Sequence, residues 1–345
     1  MTVQPPASPT TLAELTTTRV GGPAAELVEA RDEATLIEAV SSADAAGIPV
    51  LVVGGGSNLV VADEGFPGRV VVVRNGGLSV EGDTCGGAFV EVGAGEPWDD
   101  VVAAAVERGW IGIEALSGIP GTTGATPIQN VGAYGQEVSE TVARVRTWDR
   151  KLRGVRTWTA GECSFGYRTS RFKQDPERFV VLSTTFQFRL GDLGTPVRYA
   201  ELAAALGVTT GERAPTSEVR DAVLALRRSK AMVLDPDDHD TWSTGSFFTN
   251  PVVPEGEVPT GAPAWAQPDG LVKTSAAWLI EQAGFTKGYG NDRVRLSSRH
   301  SLAVTNRGGA TTADVLALAR ELESGVRERF GIALVNEPVL VGCAL

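Results

Sequence analysis

The spacing of apolar positions predicts alternating helices and strands over the first segment of the chain. In "DEATLIEAVSSADAAG", Leu36, Ile37, Val40 and Ala43 fall on one helical face, and Gly47 can end that helix. "IPVLVVGGGSNLVV" reads as a buried strand, a glycine turn and a second strand, and "GRVVVVRN" (68–75) and "FVEVGAG" (89–95) add strands. Pro97 suits the first turn of a helix through "WDDVVAAAVERG". Further strands are expected in "VARVRTWD", "VRTWTA", "FGYRTSRFK" (165–173) and "FVVLSTTFQFRL". "PTSEVRDAVLALRRSK" (215–230) and "SAAWLIEQAG" (275–284) read as helices, separated by a long Pro/Gly-rich loop, 251–270. Near the end Val315, Leu318, Leu322, Val326 and Phe330 share a face of one more helix, which Gly331 stops. The pattern is that of an α+β or α/β protein whose strands enter glycine-rich turns.

One stretch obeys neither period. "GIEALSGIPGTTGATPIQNVGAYGQE" (112–137) carries glycines at 112, 118, 121, 124, 132 and 135 without a Rossmann order or a P-loop lysine. With "VVGGGSN" (52–58) it makes two glycine-rich loops whose amides could enclose a diphosphate from both sides. A tight turn needing positive φ explains "VVGGGSN" taken alone equally well.

At 345 residues the chain suits two or three domains. A net charge of −11 argues against nucleic acid as the main partner, so an anionic ligand needs local basic residues. No apolar run reaches the roughly 20 residues that span a bilayer. The N-terminus lacks the basic and apolar regions of a secretory signal, so a cytoplasmic protein without membrane partners is expected. Cys85, Cys163 and Cys343 lack CxxC spacing and read as reduced, partly buried thiols. Two histidines, His239 and His300, are too few for a His-based metal site, and "DPDDHD" lacks the glycine and glutamate of a calcium loop, so no metal is expected.

Three further motifs hold candidate chemistry. Arg168 in "FGYRTSRFK" could clamp a carboxylate with its planar fork, although a structural ion pair is the commoner use of such an arginine. Ser246 in "STGSFFTNP" has no nucleophile elbow; it could donate a proton in a dry pocket or only satisfy a turn. Glu337 in "VNEPVLVG" is either a strand-end surface residue or a buried acid.

In this order, "GGGSN", "SGIPGTTGATPIQNVGAYGQE", "FGYR-S-FK", "GSFF-NP" and "AAWLIEQAG" resemble the UDP-N-acetylenolpyruvoylglucosamine reductase family of flavoenzymes, from "TTTRVGG" to "NEPVLVGCA". The resemblance implies an α+β fold: a two-subdomain FAD-binding domain of the vanillyl-alcohol-oxidase/PCMH type plus a smaller α+β substrate domain. The expected boundaries are 1–208 for the FAD domain (subdomains about 1–80 and 81–208), 209–330 for the substrate domain and 331–345 for a C-terminal segment completing the active site. FAD, held noncovalently, would be bound by Gly54, Gly55, Gly56, Ser57 and Asn58. The second loop would add Ser117, Gly118, Ile119, Pro120, Gly121, Thr122, Gly124 and Ala125, then Gln129, Asn130, Gly132, Ala133 and Tyr134. NADPH would be the hydride donor. The family's clamp arginine, serine proton donor and third catalytic residue fall on Arg168, Ser246 and Glu337. A small-molecule UDP-sugar would meet Tyr167, Tyr199, Lys230, Asn250 and Gln282. Thr169 and Thr249 stand where other members carry an acid and a lysine, and His300 matches a histidine of part of the family. An oxidase with histidine-tethered flavin fits less well, because neither histidine lies in the glycine loops. A non-catalytic UDP-sugar binder would be expected to have lost the Arg/Ser/Glu set.

Overall fold

The computed structural model describes residues 11–84, 86–267 and 270–345. The chain folds into two compact units that it enters repeatedly: Met1–Ala25, Gly56–Pro67 and Ser229–Leu345 form one, Glu26–Gly55 and Gly68–Arg228 the other. Crossings fall at 25/26, 55/56, 67/68 and 228/229. The linear division expected at 208/209 has no counterpart there, because the helix Thr216–Ser229 packs Val219 and Val223 against Ala115, Val197, Leu202 and Ala203 of the 26–228 unit.

In that unit Val50–Val53 runs parallel to Phe66–Val73, Val50 opposite Arg69 and Val53 opposite Val72. The helix Glu33–Ala46 precedes this strand pair. Asp32 caps its N-terminus by accepting from the Thr35 amide, Gly47 ends it at φ +68°, and Leu36, Ala39, Val40 and Ala43 are buried, close to the face the spacing predicts. The larger sheet is antiparallel, in the order Gly154–Thr159, Val142–Asp149, Phe179–Leu190, Gly87–Gly93, Leu78–Thr84. Its central strand is buried from Phe179 to Phe186, which explains the unbroken apolar run in the sequence. The helix Trp98–Glu107 lies on this core through Trp98, Val101, Val102 and Ala105, with the Trp98 and Phe186 rings 5.8 Å apart.

In the other unit Leu59–Val61 pairs in parallel with Val339–Val341, and Val294–Leu296 forms a hairpin with Val304–Asn306. Helices Ala276–Gln282 and Thr312–Phe330 bury Leu279, Ile280, Val315, Leu318, Leu322 and Val326 in its core. A capping box between Thr311 and Asp314 starts the long helix, and Gly331 stops it at φ +71°.

Two expectations need correction. Residues 165–170 are a turn and not a strand, closed by Gly166 bridging Thr169, and a short helix, Arg171–Gln174, follows with Ser170 as its cap. The 251–270 segment is not wholly loop: Val252–Pro254 and Ala264–Ala266 flank Leu271–Thr274 in a small antiparallel sheet. Cys85 and residues 268–269 lie outside the described residues.

Candidate active site

Within the unit Glu26–Gly55 and Gly68–Arg228, the start of the first glycine loop meets the second backbone to backbone at Gly55 and Gly121. A Cβ on Gly55 would lie 2.6 Å from the Gly121 Cα, and one on Gly54 would lie 2.4 Å from the Thr122 hydroxyl. At Gly55 the obstacle is main chain, so a side chain there would push the loops apart, whereas at Gly54 the Thr122 hydroxyl would have to turn away. Gly118 and Gly121 also hold φ of +69° and +115°.

The second loop is stapled along its length. Trp98 donates from its indole to the Leu116 carbonyl (3.2 Å) and from its amide to that of Gly121 (3.0 Å). The Thr123 amide donates to the Glu96 carbonyl, and Gly124 to that of Ala94. Asp99 accepts the Gly118 amide at 2.6 Å and is itself gripped by both terminal nitrogens of Arg220, at 2.7 and 2.8 Å. Burial alone would raise the Asp99 pKa, but the Arg220 and Gly118 bonds outweigh it and hold the carboxyl below its ordinary value. Ser117 is fully buried and its hydroxyl donates to the Glu114 carbonyl. Among the described residues the Gly55, Gly121 and Thr122 amides have no hydrogen-bond acceptor in the protein. Bare, close-set loops with such amides suit the diphosphate of a dinucleotide.

Glu114, which the sequence reading did not single out, ties the surroundings together. This 1 % exposed carboxylate accepts the amides of Gly112 and Thr195 (2.7 Å each) and the Gln136 side chain (2.9 Å), while Gln136 in turn accepts the Ala115 amide. An acid inside a glycine-rich run was the available signal.

Beyond it the 129–137 turn is built on strained backbone. Asn130 (φ +48°), Tyr134 (φ +49°) and Arg168 (φ +52°) are all left-handed, a rare state for residues with side chains and one that clusters at functional sites. The Asn130 amide donates to Glu137 (2.9 Å) and the Gly166 carbonyl (3.1 Å) and accepts from Ser139 (3.1 Å), which binds the turn to the arginine loop. Arg168 donates to the carbonyls of Gly132 (2.7 Å) and Asn130 (3.4 Å), beside the Tyr167 ring, and Lys173 holds its own carbonyl at 3.0 Å. Its guanidinium is thus aimed by main-chain oxygens.

Tyr199, 53 % exposed, precedes the helix Ala200–Leu206 and meets Tyr134 edge-on at 6.2 Å. Burial lowers the pKa of the half-buried Arg227 to about 10, opposed by Tyr134 and Asp99. Burial likewise raises that of Tyr134.

In the other unit the segment 246–250 lies along 335–337. Glu337 donates its amide to the Phe247 carbonyl (2.8 Å), Thr249 to that of Val335 (3.0 Å), and Phe248 bridges Asn336. Ser246 and Glu337, 91 positions apart in "GSFF-NP" and "NEPVLVG", therefore sit on adjoining extended segments. Asn58 fixes the second of these, its side chain donating to the Glu337 carbonyl (3.3 Å) and its carbonyl accepting from Val339 (2.9 Å). Asn250 accepts the Ala276 amide at 3.0 Å, at the start of the helix that Gln282, exposed, ends. Lys230 follows the helix Thr216–Ser229 and precedes Ala231, at φ +55°.

The fold and these loops define an FAD-binding flavoprotein with a separate C-terminal domain. Residues 24–153 match the family model of an FAD binding domain, and 235–341 that of the UDP-N-acetylenolpyruvoylglucosamine reductase C-terminal domain. The chain is 58 % identical over 337 residues to the UDP-N-acetylenolpyruvoylglucosamine reductase of Cutibacterium acnes, covering 97 % of this chain and 90 % of that one. To the enzyme of that name from Streptomyces avermitilis it is 54 % identical over 348 residues, covering 97 % and 94 %. A crystal structure of UDP-N-acetylenolpyruvylglucosamine reductase from Thermus caldophilus superposes with a TM-score of 0.64 at 25 % identity, covering 97 % and 98 %. The chain belongs to the UDP-N-acetylenolpyruvoylglucosamine reductase family.

Proposed function

We propose that this protein uses NADPH and noncovalent FAD to reduce UDP-N-acetyl-3-O-(1-carboxyvinyl)-glucosamine to UDP-N-acetylmuramate, a precursor of peptidoglycan. The observation that carries this reading is family likeness over almost the whole chain, joined to a pair of glycine loops that meet main chain to main chain at Gly55 and Gly121. When bound, FAD would supply the hydride chemistry that links NADPH to C3 of the enolpyruvyl group. The amides of Gly55, Gly121 and Thr122 would hold its diphosphate, and the turn through Gln129, Gly132, Ala133 and Tyr134 would lie along the flavin. Ser57, Ile119, Pro120 and Ala125 would contribute backbone to the same loops.

Arg168 would meet the substrate carboxylate, where negative charge grows after hydride transfer. Because its guanidinium is already positioned by two carbonyls, little reorganisation is needed as that charge appears. Glu337 would act with Arg168 as the third catalytic residue. Ser246 would give its hydroxyl proton to C2; a serine is a feeble acid in water, but beside an enolate the transfer runs downhill. Lys230 and Tyr199 would bind the UDP diphosphate, giving a local positive field in a chain of net charge −11. Tyr167, Asn250 and Gln282 would complete the sugar-nucleotide contacts. None of the helices in the described residues is long and apolar enough to cross a membrane, and the cytoplasm, with its NADPH, is the proposed location.

The test is the visible spectrum of the purified protein. A flavin band that NADPH bleaches, and that the enolpyruvyl sugar nucleotide restores anaerobically, is expected. A protein that takes up no FAD, or a reduced flavin indifferent to that nucleotide, would overturn the reading.

A further inference from the structure

The Ser246 Oγ lies 3.4 Å from the Nε2 of His300, a contact between residues 54 positions apart that the roles above do not use. Its setting is built, not incidental. The hairpin Val294–Leu296/Val304–Asn306 is closed by the Ser297 amide donating to the Ala303 carbonyl (2.8 Å), and His300 stands within that loop. Phe247 donates its amide to the Leu302 carbonyl (2.8 Å), which locks the serine segment beside the loop.

The loop is held by a set of serine and carboxylate bonds. Ser297 Oγ accepts the amides of Arg299 (3.0 Å) and His300 (3.2 Å) and donates to the buried Asp240 carboxylate (3.1 Å). Asp240 also accepts from the Ser298 amide and hydroxyl, from Arg299 Nε (3.3 Å) and from Arg307 (2.8 Å). These main-chain, serine and arginine bonds fix the loop's path on either side of His300. The ring is delivered to the hydroxyl that carries the proton. The contact is long for a hydrogen bond, as such contacts often are before substrate closes the site.

We propose that His300 is a positioning residue that orients the Ser246 hydroxyl and returns a proton to it after each turnover. This rests on Ser246 as proton donor. The balance is simple: the O–H bond of Ser246 breaks and a C–H bond forms at C2, leaving an alkoxide. The His300 imidazolium then loses its Nε2 proton to that oxygen, and the neutral ring recovers one from water. A serine alkoxide cannot persist near neutral pH, so each cycle needs a donor at this place. Imidazole is the side chain whose ordinary pKa suits it.

The experiment uses FAD-loaded protein in rapid mixing. Enzyme reduced in advance with NADPH is mixed with the enolpyruvyl sugar nucleotide, and the first reoxidation is compared with the steady-state rate. His300→Gln should keep a first turnover close to the parent's, since its serine starts protonated, while kcat falls roughly 10²-fold and KM holds. Added imidazole should restore kcat to His300→Ala. Ser246→Ala should lose the first turnover itself. An unchanged kcat in His300→Gln overturns the proposal, and so does equal loss of both phases without imidazole rescue, the mark of a structural role. A normal first turnover in Ser246→Ala would instead sink the serine assignment on which it stands.

Discussion

Asp99→Ala removes the carboxylate that links the helix Thr216–Ser229 to the second glycine loop. Two bonds from Arg220 and one from the Gly118 amide disappear, and the Arg220 side chain, 17 % exposed, is left without its counter-ion. Breaking a fully buried pair costs about 3–5 kcal/mol, but the Asp99 side chain is 38 % exposed and water screens part of the attraction. About 2 kcal/mol of folding stability should therefore be lost. The loop suffers separately. A hydrogen bond from an amide to a charged acceptor is worth about 1.5–3 kcal/mol, and a loop freed at Gly118 must be re-ordered when FAD binds. At about 1.4 kcal/mol per factor of ten, FAD affinity should fall ten- to a hundredfold. The assay is titration of apoprotein with FAD, read by quenching of flavin fluorescence, alongside thermal melts with and without FAD. Asp99→Asn keeps an oxygen for Gly118 but loses the ion pair, so it should lose stability with a smaller change in affinity. If Asp99→Ala melted earlier yet bound FAD as tightly as the parent, the carboxylate would be holding the helix and not the loop.

Gly55→Ala places a methyl 2.6 Å from the Gly121 Cα, and overpacking of about 1–3 kcal/mol should weaken FAD binding in the same titration. Ser246→Ala should leave flavin reduction by NADPH intact and cut turnover by about 10²–10⁴-fold; an undiminished rate would remove the serine from the mechanism. Burial pushes the Cys163 thiol up to about 12, so it should resist alkylation at pH 8 in the folded protein and react once urea unfolds it, as peptide mapping would show. Arg178, bonded to the buried Asp149 at 2.8 Å, holds that carboxyl below its usual range against the opposing effect of burial. The stability it contributes is full above the unfolded value of about 3.9 and is lost as pH falls through the lower folded value. Asp149→Asn should therefore lower stability at neutral pH and flatten the acid limb of the urea-denaturation profile.

The periodic helices were legible from the sequence for a local reason. Leu36, Val40 and Ala43, or Val315, Leu318 and Leu322, recur at the helical period because one face must be buried whatever lies opposite. Glycine loops were legible too, since bare backbone is a demand that sequence displays directly, as Gly54, Gly55 and Gly121 do. The "FGYRTSRFK" turn was not. Its apolar residues mimic a strand, and only bonds from Ser170 to the Ile128 carbonyl and from Arg168 to Gly132, some 40 positions back, turn it aside.

What the sequence determined by itself is thus the set of elements, the loops that exclude side chains and the family to which they belong. Tertiary structure alone decided which polar groups hold the glycine loops and the loop that carries His300. Asp99, Glu114 and Asp240 look like ordinary acids in the sequence, because hydrogen bonds to distant amides, serines and arginines leave no local period. It also decided that His300 stands beside Ser246, and that 229–345 joins 56–67 while 216–228 stays with the sheet of the other unit. Contacts between segments far apart in the chain depend on how already formed elements pack, and that information exists only once they have done so.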